Sequence, residues 1–544
     1  MPVSPRYSIG IDFGTESGRV LLLNLDTGEQ SVPFVVPYPS AVIDRALPGT
    51  NEPLPADWAL QDPDDWTNVI LKGVPEALEG TGIDPQSVVG LGVDFTSCTV
   101  LPVAADAQPL CTHEAWRGRR HAWPKLWKHH AAQPVADRIN AVAIERGERW
   151  LERYGGRISS EWYFPKLIQI WLEDREVYDA TDGFLEATDW IVSWLTGVQL
   201  RQTCTAGYKA LWSPDEGFPS DEYFEAAFPG FSNPTQKLGT DFVPLGSPAG
   251  QLLPELAQRL GLPPSVVVAV GNVDSFVSVP GAGVSDAGTF VIVIGTSICD
   301  MVVHQEEIRL PGITGVLRDG ILPGLYGYEA GQAAVGDMLA WFVAKLGGGA
   351  SYEELEAAAA EIEPGETGLL AFDWWNGNRT ILADADLSGA LLGLTIQSSA
   401  AEIYRALLES IAFGNRRIMD NFEQYGMPLH RIVACGGIAE RSPLMMQLLA
   451  DTSGRVVSVP AAAEIPARGA ALFGAVAAGA FADIGAAVDA TQLGTAQTYE
   501  PKPEAVAVYE RVYEIYRELY ETLGRSHSDW LHGLKRIRAD VLES

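Results

Sequence analysis

The stretch Tyr7-Ser-Ile-Gly-Ile-Asp-Phe-Gly-Thr-Glu-Ser-Gly-Arg-Val-Leu-Leu-Leu-Asn-Leu25 decides how the chain is read. An apolar run leads into Asp12. A short turn holds Gly14, Thr15, Ser17 and Gly18, and a second apolar run, Val20 to Leu25, leads away. The pattern predicts a β-hairpin whose tip receives phosphate. Glycine lets the backbone approach an anion, and hydroxyl and free N–H groups donate to its oxygens. A carboxylate at the end of the first strand can hold Mg²⁺, usually through water. A plain tight hairpin with a polar tip uses the same residue types. A second copy separates these readings: Gly288-Thr-Phe-Val-Ile-Val-Ile-Gly-Thr-Ser-Ile-Cys-Asp-Met-Val-Val303 is again strand, Gly-Thr turn, strand. Two such hairpins far apart suggest two related domains facing one nucleotide.

At 544 residues the chain is long enough for two or three domains, each with its own core. Apolar content of 47% and charged content of 20% are ordinary for a soluble globular protein. Alternating helix and strand patterns argue for α/β. A formal charge of −32 argues against nucleic acid or an anionic membrane as partner, because both need a basic footprint. Any site for a phosphorylated ligand must then be neutralised locally. The five cysteines form no C-x-x-C pair, which suits a reducing cytoplasm. His129-His130 has no cysteine close by, so a zinc site is not expected. Met1-Pro-Val-Ser-Pro-Arg6 is too short and polar for a signal peptide, and Ala470–Ala482 is too short to span a membrane. The expected location is the cytoplasm.

Between the hairpins, Gln30–Tyr38 reads as a third strand, and Asp62 opens a helix running to about Glu79, with Pro75 as a kink point. Val88–Phe95 is a near-continuous apolar strand that delivers Thr96-Ser97-Cys98-Thr99 to its C-terminal end, where open α/β sheets bind ligands. Hydroxyls there suit a sugar, or form a plain polar turn. Leu126–Asn140 is expected to be helical, with Trp127-Lys128-His129-His130 at its start facing a ligand or solvent. Lys209, with no acidic residue nearby in sequence, invites a ligand role against the commoner surface one. Ser265–Asp274 is a buried strand ending in Gly271-Asn272 and then Asp274. A carboxylate there suits a general base, or caps the helix Ser275–Gly281. Glu329, Gly331, Gln332 and Gly336 are placed near a helix start, where oxygens of phosphate or sugar can be met. Leu370–Thr380 reads as a strand edge with aromatic packing and no chemistry. Gly436-Gly437, between a strand and a helix opening near Ser442-Pro443, let an adenine or ribose lie against the backbone, or make a bare turn. Ala467–Ala480 is a small-residue helix expected under the nucleotide, and Glu504–Leu523 a final helix.

Asp-x-Gly-Thr-x-Ser with a later Gly-Thr-Ser resembles the two phosphate hairpins of the superfamily that holds actin, hexokinase and the heat-shock ATPases. Within it the chain resembles the FGGY carbohydrate kinases over nearly its whole length, and Glu329-Ala-Gly-Gln-x-Ala-Val-Gly-Asp337 resembles their ribulokinase branch. The resemblance implies two actin/hexokinase-like (ribonuclease H-like) domains with a cleft between them, residues 1–284 on the sugar side and 285–544 on the nucleotide side. It implies ATP and Mg²⁺, with Asp12 at the metal and Asp274 as base. For the sugar it implies Ser97, Lys209, Asp274 and Glu329. For the nucleotide it implies Gly14, Thr15, Ser17, Arg19, Gly295, Thr296, Ser297, Gly336, Gly436, Gly437 and Arg441; Arg441 stands where relatives often have a small polar residue. Trp127-Lys128-His129-His130 departs from the family's common Trp-x-Asp-x-Arg form. The expected reaction is phosphorylation of L-ribulose, or of a related ketopentose, by a homodimer. The rivals are another sugar or polyol, such as xylulose, and an ATP-driven switch that binds polypeptide.

Overall fold

Strands with long apolar runs must be covered on both faces, and Tyr7–Phe13 and Val88–Phe95 are buried almost end to end. The computed structural model describes residues 5–50, 52–239 and 241–543; residues 1–4 of the polar start lie outside it. In the first half, β1 (Tyr7–Phe13), β2 (Ser17–Asn24) and β3 (Phe34–Pro37) form an antiparallel meander. Helix α1 (Pro63–Thr81) then returns the chain to β4 (Val88–Phe95), parallel to β1. The Asp62 side chain accepts from the Asp64 N–H at the start of α1, Gly82 ends it at φ 66°, and it runs unbroken through Pro75. Helices α2 (Gln133–Arg146), α3 (Tyr163–Glu173), α4 (Ala187–Thr196) and α5 (Thr203–Lys209) form an insertion. The chain rejoins the sheet through β5 (Pro248–Gln251), β6 (Val267–Ala269) and β7 (Asn272–Val273), then enters α6 (Asp274–Gly281).

The second half contributes β8 (Thr289–Ile294), β9 (Ile298–His304), β10 (Gly315–Arg318), β11 (Tyr326–Gln332), α7 (Gly336–Lys345) and α8 (Ala400–Gln424). It continues with β12 (Arg431–Cys435), α9 (Gly437–Arg441), α10 (Pro443–Ser453), β13 (Val457–Pro460), α11 (Ile465–Ala477), β14 (Thr495–Tyr499), α12 (Pro503–Glu521) and α13 (Ser528–Glu543). The sheets run β3-β2-β1-β4-β6-β5, with β7 also on β4, and β10-β11-β9-β8-β12-β13-β14. Each is built around a hairpin with an antiparallel strand outside it and parallel strands on the other side. The expected duplicated fold of the actin/hexokinase type is therefore present.

The two halves interlock. Helix α11 lies against β1, β4 and α6 of the first half. A Cβ on Gly10 would stand 1.8 Å from the Ala467 carbonyl oxygen, and one on Gly92 1.9 Å from that of Ala470. The reverse holds for Gly469 of α11, 1.9 Å from the Val277 oxygen. The small-residue helix thus packs as tightly as its composition implies, but against the first sheet; only its first turn reaches the cleft.

Four further expectations are corrected. The helix expected over Leu126–Asn140 begins only at Gln133, with Pro134 in its first turn. Trp127 and His129 are drawn inward instead by long-range hydrogen bonds to Thr15 and Gln169. Glu329, Gly331 and Gln332 lie on β11, opposite Met301, Cys299 and Ile298, and not at a helix start. Gln332 ends the strand, and the helix opens at Gly336. The helix expected to be last is α12, whose Tyr509, Tyr513, Tyr516 and Tyr520 are buried, and α13 follows it.

Gly10→Ala is expected to cost about 2–3 kcal/mol through overpacking, seen as a lower thermal midpoint. Gly80→Ala, on the exposed end of α1 with open space around it, is expected to leave the midpoint unchanged or slightly raised.

Candidate active site

The two hairpin tips face each other across a cavity of about 620 Å³. Each tip is closed in the same way: Gly14 N–H donates to the Ser17 carbonyl at 3.0 Å, and Gly295 N–H to that of Ser297 at 2.9 Å. Asp12, Gly14, Thr15, Arg19, Ser97, Lys209, Asp274, Gly295, Thr296, Ser297, Glu329, Gly436, Gly437 and Arg441 all line this one cavity. Ser17 and Gly336 do not. Ser17 spends its carbonyl on the turn and lines an outer cavity. Gly336 braces the second tip from behind: its N–H donates to the Gly295 carbonyl at 3.2 Å, and a Cβ there would stand 2.7 Å from that oxygen.

Carboxylates are concentrated at one spot. β1, β4 and β7 are neighbours in register, so Asp12, Asp94 and Asn272 lie abreast, and Asp274 follows two residues on. Arg19 Nη1 donates to Asp12 Oδ2 at 2.9 Å, and Arg19 Nε stands 3.4 Å from Glu464. Asp94 is fully buried and neither of its oxygens has a hydrogen-bond partner. Burial, then the nearby Asp12 and Asp274, push its carboxyl well above the usual range. Burial and the Asp12 charge likewise raise Asp274 to about 7, although its Oδ1 accepts the Ser275 N–H at 2.6 Å.

On the other side of the cavity, Lys209 at the end of α5 donates to Glu329 at 2.6 Å, both side chains being buried. The lysine without an acidic neighbour in sequence has one 120 residues away. Burial would weaken its ammonium, but Glu329 outweighs this and raises its pKa. Next to the pair is the Thr96–Thr99 loop, in which Cys98 takes φ 63°. Lys166 of α3 holds this loop from below. Its ammonium donates to the carbonyls of Cys98 at 2.5 Å and Leu126 at 2.9 Å, which ties Ser97 and Trp127 to one buried point. Trp127 Nε1 in turn donates to Thr15 Oγ1 at 3.2 Å on the first hairpin. His129 is not a solvated residue. It is buried against Trp58 and Gln169, and burial pulls it well below the usual imidazole value.

At the far end, Gly436 takes φ 94° where the backbone passes Ile294, and Gly437 opens the short α9. Ile465 and Pro466 of α11 face them across the cavity. Charged residues that went unread in the sequence include Asp94 beside the cavity, and Glu161, Arg379, Glu440 and Glu464 in its lining. Asp94 was visible as a lone carboxylate in an apolar strand. Arg379 sits in the Leu370–Thr380 segment to which no chemistry was assigned.

Among the described residues no group of three or more His, Cys, Asp or Glu side chains is arranged to hold a metal ion alone. Mg²⁺ that keeps its waters and shares phosphate oxygens needs only one or two carboxylates. Asp12, which lines the cavity with further carboxylates close by, fits such a cation.

Residues 7–281 match the N-terminal domain, and residues 290–478 the C-terminal domain, of the FGGY family of carbohydrate kinases. The chain is 47% identical over 553 residues to a ribulokinase of Halalkalibacterium halodurans, covering 99% of this chain and 98% of that protein. It is also 47% identical to one of Anoxybacillus flavithermus, covering 97% of each. A crystal structure of a xylulose kinase from Rhodospirillum rubrum superposes with a TM-score of 0.78 at 24% identity, covering 97% of this chain and all of that one, a likeness of fold.

The raised pKa of Asp274 has a stability consequence. The folded state holds this proton up to about pH 7 and the unfolded chain only to about 3.8, so stability from this group is lost as pH rises through that window. Asp274→Asn removes the dependence. It is expected to melt at a higher temperature than the parent at pH 8, with the gap closing toward pH 4; equal melting at both would refute the assignment.

Proposed function

The chain belongs to the FGGY family of carbohydrate kinases, and from that premise we propose that it transfers the γ-phosphoryl group of ATP to the 5-hydroxyl of L-ribulose, giving ribulose 5-phosphate and ADP. The observation that carries the reading is Asp274: a carboxylate poised near neutrality, between two phosphate-type hairpins and beside the buried Lys209–Glu329 pair. A general base works best when its pKa lies near the operating pH.

In the proposed reaction Asp274 takes the proton from the sugar hydroxyl as that oxygen attacks the γ-phosphorus in line, and the bond to the β–γ bridging oxygen breaks. Gly14 and Gly295 let the backbone come close, and the N–H and hydroxyl groups of Thr15, Thr296 and Ser297 orient the phosphates. Ser17 and Gly336 support the tips rather than touch the nucleotide. Arg19 holds Asp12 in place, and Asp12 would hold Mg²⁺, which supplies charge neutralisation on the phosphates when bound. Gly436, Gly437 and Arg441 receive the adenosine. Glu329, paired with Lys209, accepts from sugar hydroxyls, and Ser97 donates to them. Closure of the two halves would shut water out of the transfer.

Relatives 43–47% identical that carry the name ribulokinase favour this substrate over xylulose and over a polypeptide-binding switch. The proposed setting is the cytoplasm, consistent with the finding that no described helix is long and apolar enough to cross a membrane. The proposed assembly is a homodimer, and α13 presents Trp530 and Ile537 to solvent, the kind of apolar side chain that subunits bury.

The test is sugar-dependent ADP release with MgATP, using L-ribulose, D-ribulose, D-xylulose, L-xylulose and glycerol. L-Ribulose is expected to give the highest kcat/KM. Asp274→Asn is expected to lower kcat by about 10²–10⁴ with ATP binding retained. In the parent, kcat/KM should rise with pH to a plateau above about pH 7, as the base loses its proton. A different best sugar would refute the ribulose assignment, and turnover indifferent to every sugar would refute the kinase reading.

A further inference from the structure

Arg379 reaches the cleft from the loop after Trp374-Trp375, and no described residue forms a hydrogen bond or ion pair with its guanidinium. Its place is fixed from behind: the Thr380 hydroxyl accepts the Gly331 N–H at 3.1 Å, which pins the loop to β11 two residues from Glu329. Arg379 and Glu161, from opposite halves, are the two residues that line the central cavity and also both cavities into which it opens, of about 1410 and 470 Å³. Asp274 lines only the central one. Arg379 therefore shares the central cavity with Asp274 and also borders its two openings. Burial, which weakens a cation, is outweighed by Glu161, then Cys299 and Glu329, and Glu329 acts on Asp274 as well.

The substrate's chemistry says what an unpartnered guanidinium in that cavity would meet. In a ketopentose the 5-oxygen closes the furanose ring onto carbon 2. A free 5-hydroxyl at Asp274 thus requires the open chain, and the open chain carries a carbonyl at carbon 2. That oxygen is an acceptor only, and arginine is a donor only, with N–H groups in a fixed fork. An alcohol oxygen in its place can also accept from arginine, but it brings a proton that needs a further acceptor, which arginine cannot supply.

We propose that Arg379 is the residue that selects the open-chain ketose, donating to the carbonyl oxygen at carbon 2 while the 5-hydroxyl lies at Asp274. The assignment rests on the ribulose reading above and adds the carbonyl contact to it. The two fail differently. If the parent enzyme phosphorylates no ketopentose, the ribulose reading falls and this assignment with it.

The test compares L-ribulose with ribitol, in which the carbonyl is an alcohol, in the full-length parent, Arg379→Met and Arg379→Lys. The KM of ribulose and the inhibition constant of ribitol against ribulose are measured, so ribitol need not be turned over. Arg379→Met is expected to raise the ribulose KM at least tenfold, change the ribitol constant less than threefold, and leave the ATP KM within twofold. Arg379→Lys, which keeps a donor, should lie between. Equal weakening of both ligands would assign Arg379 a merely structural role, and an unchanged ribulose KM would remove it from the sugar site. Either result overturns the proposal.

Discussion

The backbone contact between α11 and strands β1 and β4 is the constraint on which the cleft depends. Peptide carbonyls of the helix approach within reach only of Cα hydrogens at Gly10 and Gly92, and every larger residue would force the layers apart. The helix belongs to the second half of the chain and the strands to the first, so this contact sets how the halves meet. It also carries Glu464, at the helix start, into ion-pair distance of Arg19, and through Arg19 it steadies Asp12. A cleft meant to open and close needs one fixed edge, and dense packing resists deformation there.

Charge organises the rest. The chain is strongly acidic, yet its cleft must accept a polyanion. Two devices reconcile these. Beside the Thr96–Thr99 loop one carboxylate is neutralised by a buried lysine, Glu329 by Lys209. Beside the first hairpin Asp12 is shared with Arg19, while Asp94 and Asp274 are pushed toward holding protons. Proximity of like charges and loss of water are what make Asp274 basic enough to accept a proton near neutral pH. The same crowding makes its ionisation costly to the fold, so the base role proposed for this residue and its stability oppose each other.

Lys166 and Arg379 illustrate different kinds of illegibility. Lys166 is one polar position in an otherwise largely apolar helix, α3, and its ammonium collects carbonyls from two loops 40 and 68 residues away in sequence. Arg379 lay in an aromatic segment whose residues do pack, as Phe372 on Trp374 shows. Nothing local distinguishes the one side chain there that turns to the cleft. Glu329 was singled out correctly for the cavity and placed on the wrong element, because Tyr326-Gly-Tyr-Glu-Ala-Gly-Gln lacks the apolar run that marked the other strands.

The sequence by itself determined the two hairpins, their spacing, the duplicated fold and the position of Asp274 at the end of a buried strand. These follow from local patterns: apolar runs of strand length, glycines where backbone must pass close, and turn residues between them. Only the tertiary structure decided that Lys209 is paired, that Asp94 stands beside Asp12, that Gly336 and Ser17 support the tips from outside the central cavity, and that Arg379 lines it. Each of these depends on contacts between residues from tens to well over a hundred positions apart, or on the way a side chain turns. Neither is encoded in any one stretch; the packing of the two sheets and the helix between them supplies both.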